Sequence, residues 1–372
     1  MADLEVKLLV NGRAYSGWKA VRITRSIEAL AGSFTLDVSD RWGDDSELWP
    51  IVQEDPCKVT IGPPGQPGQT VIAGYIDERD HEGDASSIAL GYSGKDRAGA
   101  LVENSLLIET PGGTAGKSHK TTWRNIDIAQ FVTQIAEQFA ISVSVQPGLE
   151  LVKDPLLVAH SGETCYEAIK RAAGSSGVLV VSDGNGGIVI TRRGSARAAA
   201  LILGFNIMRY SIKYDGKDRF RRYKISSQIP GSDEVSGAAT SVLAEAVDIG
   251  VQRLDRVQVI RPDKAMDVAT AKRRADWEAR TRAARAETLM VTVQGWTQPN
   301  STDLWPLNAL ALVVISRAGI NGDMLISQVE YTTGEGGTIT QLHLVRPDAF
   351  EPEPQTATTG GTGAWNELAK GV

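Results

Sequence analysis

Two blocks of period-two alternation, separated by a helical stretch, restrict what this chain can fold into. SFTLDV at 33–38 puts Phe34, Leu36 and Val38 on one side and Ser33, Thr35 and Asp37 on the other. Such a run is a strand with one dry and one wet face. CKVTI repeats it with Cys57, Val59 and Ile61. LEVKLLV precedes an NG turn, and AGYIDERDHEGDASSIALGYSGKD reads as strand, polar turn, strand. GPPGQPGQ at 62–69 is a loop between strands. Residues 1–100 therefore form a first β domain. Alternation returns near 205, where MRYSIKY sets Met208, Tyr210, Ile212 and Tyr214 against Arg209, Ser211 and Lys213. YKISSQ, LMVTVQGW, LALVVIS, DMLISQVEY and TITQLHLVRPD carry this second β domain over 205–350.

The intervening 101–204 read as a smaller α+β domain. NIDIAQFVTQIAEQF carries one apolar stripe, Ile128, Phe131, Val132, Ile135 and Phe139, with Asn125 as its N-cap. SGETCYEAIKRAAGSSG is a second helix, capped at Ser161 or Gly162 and ended by Gly174. VLVVSDGNGGIVITRRG is a hairpin. Within the second β domain one long helix spans 263–287, capped by Asp263 after Pro262. The Pro/Gly/Thr-rich residues 351–372 read as a flexible or partner-dependent tail. A faint echo links the β domains. GYIDERDHEGDASSIALGYSGKD (74–96) and SQVEYTTGEGGTITQLHLVRPD (327–348) share one plan, a strand, a Gly/Glu turn and a return strand closing on a basic residue and Asp.

Composition narrows function. The 372 residues, 42% hydrophobic and 23% charged, are ordinary for a soluble globular chain, and 38 glycines favour many turns and short strands. A net charge of −6 argues against a general nucleic-acid binder. Cys57 and Cys165 stand far apart with no C-x-x-C, which fits a reducing compartment rather than a disulfide or zinc framework. MADLEVKLLV lacks the pattern of a signal peptide, and no apolar run reaches the roughly 18–20 residues that span a bilayer, so synthesis and folding in a cytoplasm are expected.

The chemical motifs are each outweighed by a plainer reading. PGGTAGKS at 111–118 matches a phosphate loop at Gly116, Lys117 and Ser118, but Pro111 replaces the first glycine and polar HKTTWRN, not a helix, follows. AKRRADWEARTRAARAE holds Lys272, Arg273, Arg274, Arg280, Arg282 and Arg285. Asp267, Asp276, Glu278 and Glu287 interleave, which makes it a solvated or interface face. His81, His119, His160 and His343 form no metal-binding spacing, and no serine lies in G-x-S-x-G. Residues 161–181, with Glu163 and Tyr166, resemble the opening of glycan-binding LysM modules, though a DGNGG hairpin replaces their second helix. Trp18, Trp42, Trp49, Trp296 and Trp305 suit core packing or subunit contacts equally. No catalytic, cofactor or metal residue is assigned, and no enzyme activity is expected.

Several segments together resemble the baseplate hub proteins of Mu-like contractile-tailed phages. They are VNGRAYSGWKAVRITRSIEALAGSFTLDVSDRW, GYSGKDRAGALVENS, the Gly-Glu-Thr helix at 162–173, RRADWEARTRAARAETLMVTVQGW and LVRPDAF, in that order over 4–350. The resemblance implies two tail-tube-like β-barrel domains flanking the α+β domain, with a role that is structural. It implies a homotrimer whose paired β domains make a pseudo-sixfold ring between the tail tube and the trimeric membrane-piercing spike, as at the base of type VI secretion spikes. Partners would be further copies of the chain, tail-tube protein, spike protein and other baseplate proteins, with no small-molecule substrate. The expected location is the virion, with assembly in the host cytoplasm. A peptidoglycan-binding tail module is the alternative, resting on 161–181.

Overall fold

The computed structural model describes residues 4–40, 49–83, 88–110, 118–228, 241–262, 266–334 and 336–354. The first block holds β1 (Glu5–Val10), β2 (Arg13–Tyr15), β3 (Ala20–Ser26), β4 (Ser33–Asp40), β5 (Pro56–Gly62), β6 (Gln69–Gly83) and β7 (Ile88–Asp96). Alternation works as expected in β4, where Phe34 and Leu36 are buried while Ser33, Thr35 and Asp37 are exposed. β1 and β2 join through Asn11 (φ 49) and Gly12 (φ 77). Both are left-handed, which is why Asn-Gly serves this hairpin turn.

The middle block contains α1 (Gly99–Glu103), β8 (Glu109–Thr110), β9 (Ser118–His119), β10 (Thr122–Ile126), α2 (Ile128–Ala136), β11 (Val143–Val145), β12 (Asp154–Val158), α3 (Cys165–Ser176), β13 (Leu179–Ser182) and β14 (Ile188–Thr191). Its core gathers Trp123, Phe131, Ile135, Cys165, Ile169 and Ile190. Three sequence-derived caps move. Asn125 (φ 53) lies in β10, and α2 is capped by Asp127 in a reciprocal box with Gln130. α3 is capped by Thr164, not Ser161 or Gly162, because Thr164 and Glu167 satisfy each other's backbone N–H groups. It ends at Gly177, whose φ of 65 is the left-handed stop, so Gly174 stays inside the helix.

Next come β15 (Leu201–Ile202) and β16 (Ile207–Tyr214). The expected dry face of β16 is only half realised. Tyr210 and Ile212 pack on the core, but Met208 is 59% and Tyr214 69% exposed. A bulge between Ile207 and Arg209 turns one end, and among the described residues β16 has a strand on one edge only.

The chain then builds a separate unit, 215–286, which also takes in 351–354. It contains β17 (Arg222–Gln228), β18 (Ser241–Val247), β19 (Val257–Ile260) and α4 (Val268–Arg285). The sheet order is β18-β17-β19, and Ile225, Ala244 and Ala246 pack with Met266, Ala271 and Ala275. Asp263 lies outside the described residues. α4 is capped by Asp267, which accepts from the Thr270 N–H at 2.6 Å, and it stops at Arg285 rather than 287. YKISSQ belongs to this small sheet rather than to the second β block.

The second block closes with β20 (Glu287–Gln294), β21 (Leu310–Ile315), β22 (Ile320–Thr333) and β23 (Ile339–Val345). Tyr214 and Glu287 are register partners, so 215–286 is inserted within the antiparallel pair β16–β20.

The protein is predominantly β with few helices and several sheets. The expected pair of barrels is not what the pairing gives. One 13-stranded sheet runs β16-β20-β23-β22-β3-β4-β7-β6-β5-β1-β2, with β21 and β15 branching from β22. Among the described residues its ends do not meet. Within that sheet the two blocks repeat one topology. β3, β4, β5, β6 and β7 pair as β3-β4-β7-β6-β5, and β16, β20, β21, β22 and β23 pair as β16-β20-β23-β22-β21, in the same chain order and all antiparallel. Even the irregularity repeats. β6 bulges between Ile76 and Glu78, and β22 between Ile326 and Gln328. These are the two hairpins whose sequences echo.

Candidate assembly surfaces

With no titratable constellation to lead the eye, the geometry that matters is how the repeated blocks meet. β22 offers one edge to two strands. Its first half pairs with β21, Leu310↔Leu325 to Ile315↔Ile320, and past the bulge it pairs with β3, Gln328↔Ser26 to Thr333↔Val21. The bulge at Ser327 turns the strand so that its later edge clears β21. Wet-side contacts are modest. Thr24 donates to Glu330 at 3.4 Å, and Arg22 lies 3.6 Å from the same carboxylate. The dry side is closed. Ile23, Val329 and Tyr331 are buried, and the Tyr331 hydroxyl donates to the Trp305 carbonyl at 2.7 Å. The Trp296 indole donates to Thr332 O at 3.1 Å. Trp296 and Trp305 are thus core residues, as is the Trp18–Trp49–Tyr92 group of the first block. Trp42 lies outside the described residues.

The first block contains the same bulge and the same later half-strand, paired to β7 on one edge, but among the described residues nothing pairs with its other edge. β5 pairs with β6 only up to Tyr75. Glu78, Asp80, His81, Glu82 and Gly83 are exposed. At the opposite end of the strand path, the outer edge of β16 also carries no strand.

The middle block is fixed to this wall by a polar clamp. Asp96 is 2% exposed and accepts from Gly32 N at 2.7 Å and Ala98 N at 3.0 Å. Burial pushes its carboxyl up, with Ser182, the Gly32 N–H and Arg25 opposing. Arg25 donates to Ser182 O at 3.1 Å. Gly184 (φ 78) sits so close that a Cβ would lie 2.7 Å from Val71 O. The DGNGG turn is therefore a docking device, and it folds β13 and β14 into an antiparallel hairpin rather than leading into a helix.

The other sequence candidates resolve into structure. Lys117 lies outside the described residues, but β8 and β9 on either side of that loop pair with each other and β10 follows. A phosphate loop needs a helix there. Glu163 is engaged by Arg171 at 2.9 Å and the His160 N–H at 2.7 Å, and Tyr166 donates to Glu28 O at 3.0 Å. The Gly-Glu-Thr segment is capping chemistry, and the glycan-binding reading loses its motif. On α4, Arg274 and Arg282 flank the buried Glu278 at 2.9 and 2.8 Å. Arg274 also contacts Glu353, Arg280 pairs with Glu351 at 3.2 Å, and Trp277 donates to Glu351 O at 2.8 Å. Arg273 donates to Thr270 Oγ1. This arginine face is occupied by the chain itself. Cys57 and Cys165 are buried, which raises their thiols to about 12 and about 11 and leaves them unreactive at neutral pH. Burial lowers His343, while Glu330 and Glu28 oppose it. Among the described residues no cluster could hold a metal, and no helix is long and apolar enough to cross a membrane.

Comparison with known proteins follows the same division. Residues 5–96 match the N-terminal domain of Mu phage baseplate assembly protein GpP-like proteins, 114–192 the second domain of gp44-like baseplate hub proteins, and 267–353 the fourth domain of Mu phage baseplate assembly protein GpP. Baseplate hub protein gp44 of Escherichia phage Mu is 28% identical over 354 residues, covering 93% of this chain and 88% of that protein. The 43 kDa tail protein of prophage MuSo2 from Shewanella oneidensis superposes at a TM-score of 0.78 with 28% identity, covering 94% of this chain and 99% of its own. The tail protein of Neisseria meningitidis MC58 shares the fold at a TM-score of 0.77, with 20% identity over 95% of this chain and 99% of that one. Three family domains in order and a relative aligned nearly end to end agree with the duplicated wall: the chain is a homologue of the Mu baseplate hub protein gp44, carrying Mu-type baseplate and hub domains.

Proposed function

We propose that this protein is the homotrimeric central hub of a contractile-tail baseplate, joining the tail tube on one side to a membrane-piercing spike on the other. The duplicated topology carries the proposal. Two blocks with the same strand order, joined edge to edge through β22 and β3, provide one chain with two quasi-equivalent wall segments. Three chains then present six segments to a sixfold tube. In this reading 1–100 and 205–350 are the tube-like modules, 101–204 is an outer α+β module, and 351–372 is a tail held to α4 at Glu351 and Glu353 whose remainder meets other baseplate proteins. Each module closes as a barrel wall only within the ring. The role is structural, and the copies of the chain, tail-tube protein, spike protein and baseplate proteins are its partners. Assembly in the host cytoplasm suits two buried thiols.

Mass photometry of the purified chain gives a trimer on this proposal, and end-on electron micrographs give a ring with six lobes of wall density in three repeats. A monomer at all concentrations tested would refute it.

A further inference from the structure

The internal repeat supplies an interface template. Within one chain, the later half of β22 pairs with β3. The counterpart of β22 is β6, and the counterpart of β3 is β16. Among the described residues both counterparts have an open edge on the corresponding side. Deepening the hub reading and resting on it, we infer that the seam between neighbouring copies is an antiparallel pairing of Arg79–Gly83 of β6 in one copy with Tyr210–Tyr214 of β16 in the next.

The register follows from the ladders. Ile326↔Leu344 and Gln328↔His343 correspond to Ile76↔Gly94 and Glu78↔Ser93, because the bulge falls between the two pairs in each hairpin. Gln328 therefore corresponds to Glu78, Glu330 to Asp80 and Thr332 to Glu82. On the other strand, Ile23↔Phe34 and Thr24↔Ser33 correspond to Ile212↔Leu289 and Lys213↔Thr288. The observed pairs Glu330↔Thr24 and Thr332↔Arg22 then become Asp80↔Lys213 and Glu82↔Ser211 between copies.

Charge supports that alignment independently. Asp80 and Glu82 are acidic on one strand, Arg209 and Lys213 basic on the other, and all four are exposed, while Glu78 falls opposite Asp215 just beyond the seam. Asp80 faces Lys213 directly, and Arg209 lies diagonal to Glu82, within reach across an antiparallel pair. A slip of one residue moves every side chain to the other face and loses these matches. The contact is heterologous, one edge type against another, so it forms a closed ring only if the rotation between copies closes.

The test uses the full chain. Lys213→Glu and Asp80→Lys, each alone, place like charges opposite one another at every seam. Each is expected to raise the trimer dissociation constant at least tenfold by mass photometry, and the double variant to return within about threefold of the starting chain. Both substituted positions are exposed, and an unaltered melting curve shows that the chain itself stays folded. A second measurement asks for direct contact. Chains carrying only Asp80→Cys are mixed with chains carrying only Lys213→Cys and oxidised. The native thiols are buried, and cross-linked heterodimers are expected. Trimers that persist in both single variants without cross-linking would overturn the seam and leave the hub reading standing. A chain that is monomeric from the outset would overturn both.

Discussion

Gly94 and Gly322 are both strand glycines with ordinary backbone angles, yet replacing each by alanine should move stability in opposite directions. In β7, Gly94 lies opposite Phe34 of β4 and Ile76 of β6. A Cβ there would stand 2.1 Å from the Tyr75 carbonyl and 2.8 Å from the Phe34 ring. The oxygen belongs to a ladder strand, so relief requires β6 and β7 to part by about 1 Å or more beside the Asp77 bulge. Overpacking a filled core costs typically 1–3 kcal/mol, and with backbone rather than a side chain as the obstacle we expect about 3 kcal/mol. The repeat explains why glycine is needed here. The corresponding pair in the second block is Leu289 opposite Leu344. The first block fills the same space with Phe34 alone. In β22, Gly322 has no atom within 4 Å of an added Cβ. Alanine there restricts the unfolded chain and should stabilise by about 0.4–1 kcal/mol. At about 2–4 °C per kcal/mol for a body of this size, Gly94→Ala lowers the main calorimetric transition by about 6–12 °C and Gly322→Ala raises it by about 1–4 °C. Hydrogen exchange should place the Gly94→Ala loss in β6 and β7. A Gly94→Ala chain melting within 1 °C of the parent, or the two variants shifting together, would refute the steric argument.

Three further outcomes follow. Asp248 accepts from Arg219 at 2.5 and 2.9 Å and from the Gly250 N–H; burial alone would raise its carboxyl, but these partners hold it below its ordinary 3.8. A depressed folded pKa contributes stability above the unfolded value that is lost as pH falls through the folded one. Urea midpoints of the 215–286 unit should therefore drop below about pH 4, and Asp248→Asn should flatten that slope. Tyr331→Phe leaves the Trp305 carbonyl without its buried donor and should cost about 1–2 kcal/mol in thermal unfolding. Replacing 215–286 by an Asn-Gly turn between the register partners Tyr214 and Glu287 should leave the large sheet folded by circular dichroism and hydrogen exchange, and loss of that sheet's protection would contradict the insertion.

What the sequence disclosed was local. Period-two runs gave the strands and their dry faces, as with Phe34 and Leu36, and helical stripes gave α2 and α3. Helix starts slipped by two to four residues because several polar residues sat near each one. Asn125 and Asp127 are both good caps, and only the reciprocal bond with Gln130 decides between them. The faces of β17 and β22 look alike in sequence, yet one strand joins a three-stranded sheet under α4 and the other the large wall. Alternation specifies which side is buried but not which strand lies alongside. Every residue offers the same backbone donor and acceptor, so partner choice depends on register, turns and distant packing. The arginines of α4 illustrate the same limit. Their spacing allowed an interface, whereas their partners Glu351 and Glu353 lie far along the chain.

The two versions of the seam differ in a way that connectivity explains. Inside the chain, β22 meets β3 through Gln328, Glu330 and Thr332 against Ser26, Thr24 and Arg22, with one distant ion pair. Covalent linkage already supplies the encounter, and the buried Ile23, Val329 and Tyr331 fix the register. Between copies there is no linkage, so encounter must be steered and wrong pairings excluded. In the proposed seam Asp80 opposite Lys213, with Glu82 diagonal to Arg209, serves both ends. The same charges discourage identical edges from pairing while the chain is still alone, since β6 would meet acid with acid and β16 base with base. Assembly should then weaken as salt is added while the melting of the large sheet barely changes. Equal salt dependence of the two would mean that charge at these edges does not distinguish the bond between copies from the bond within one.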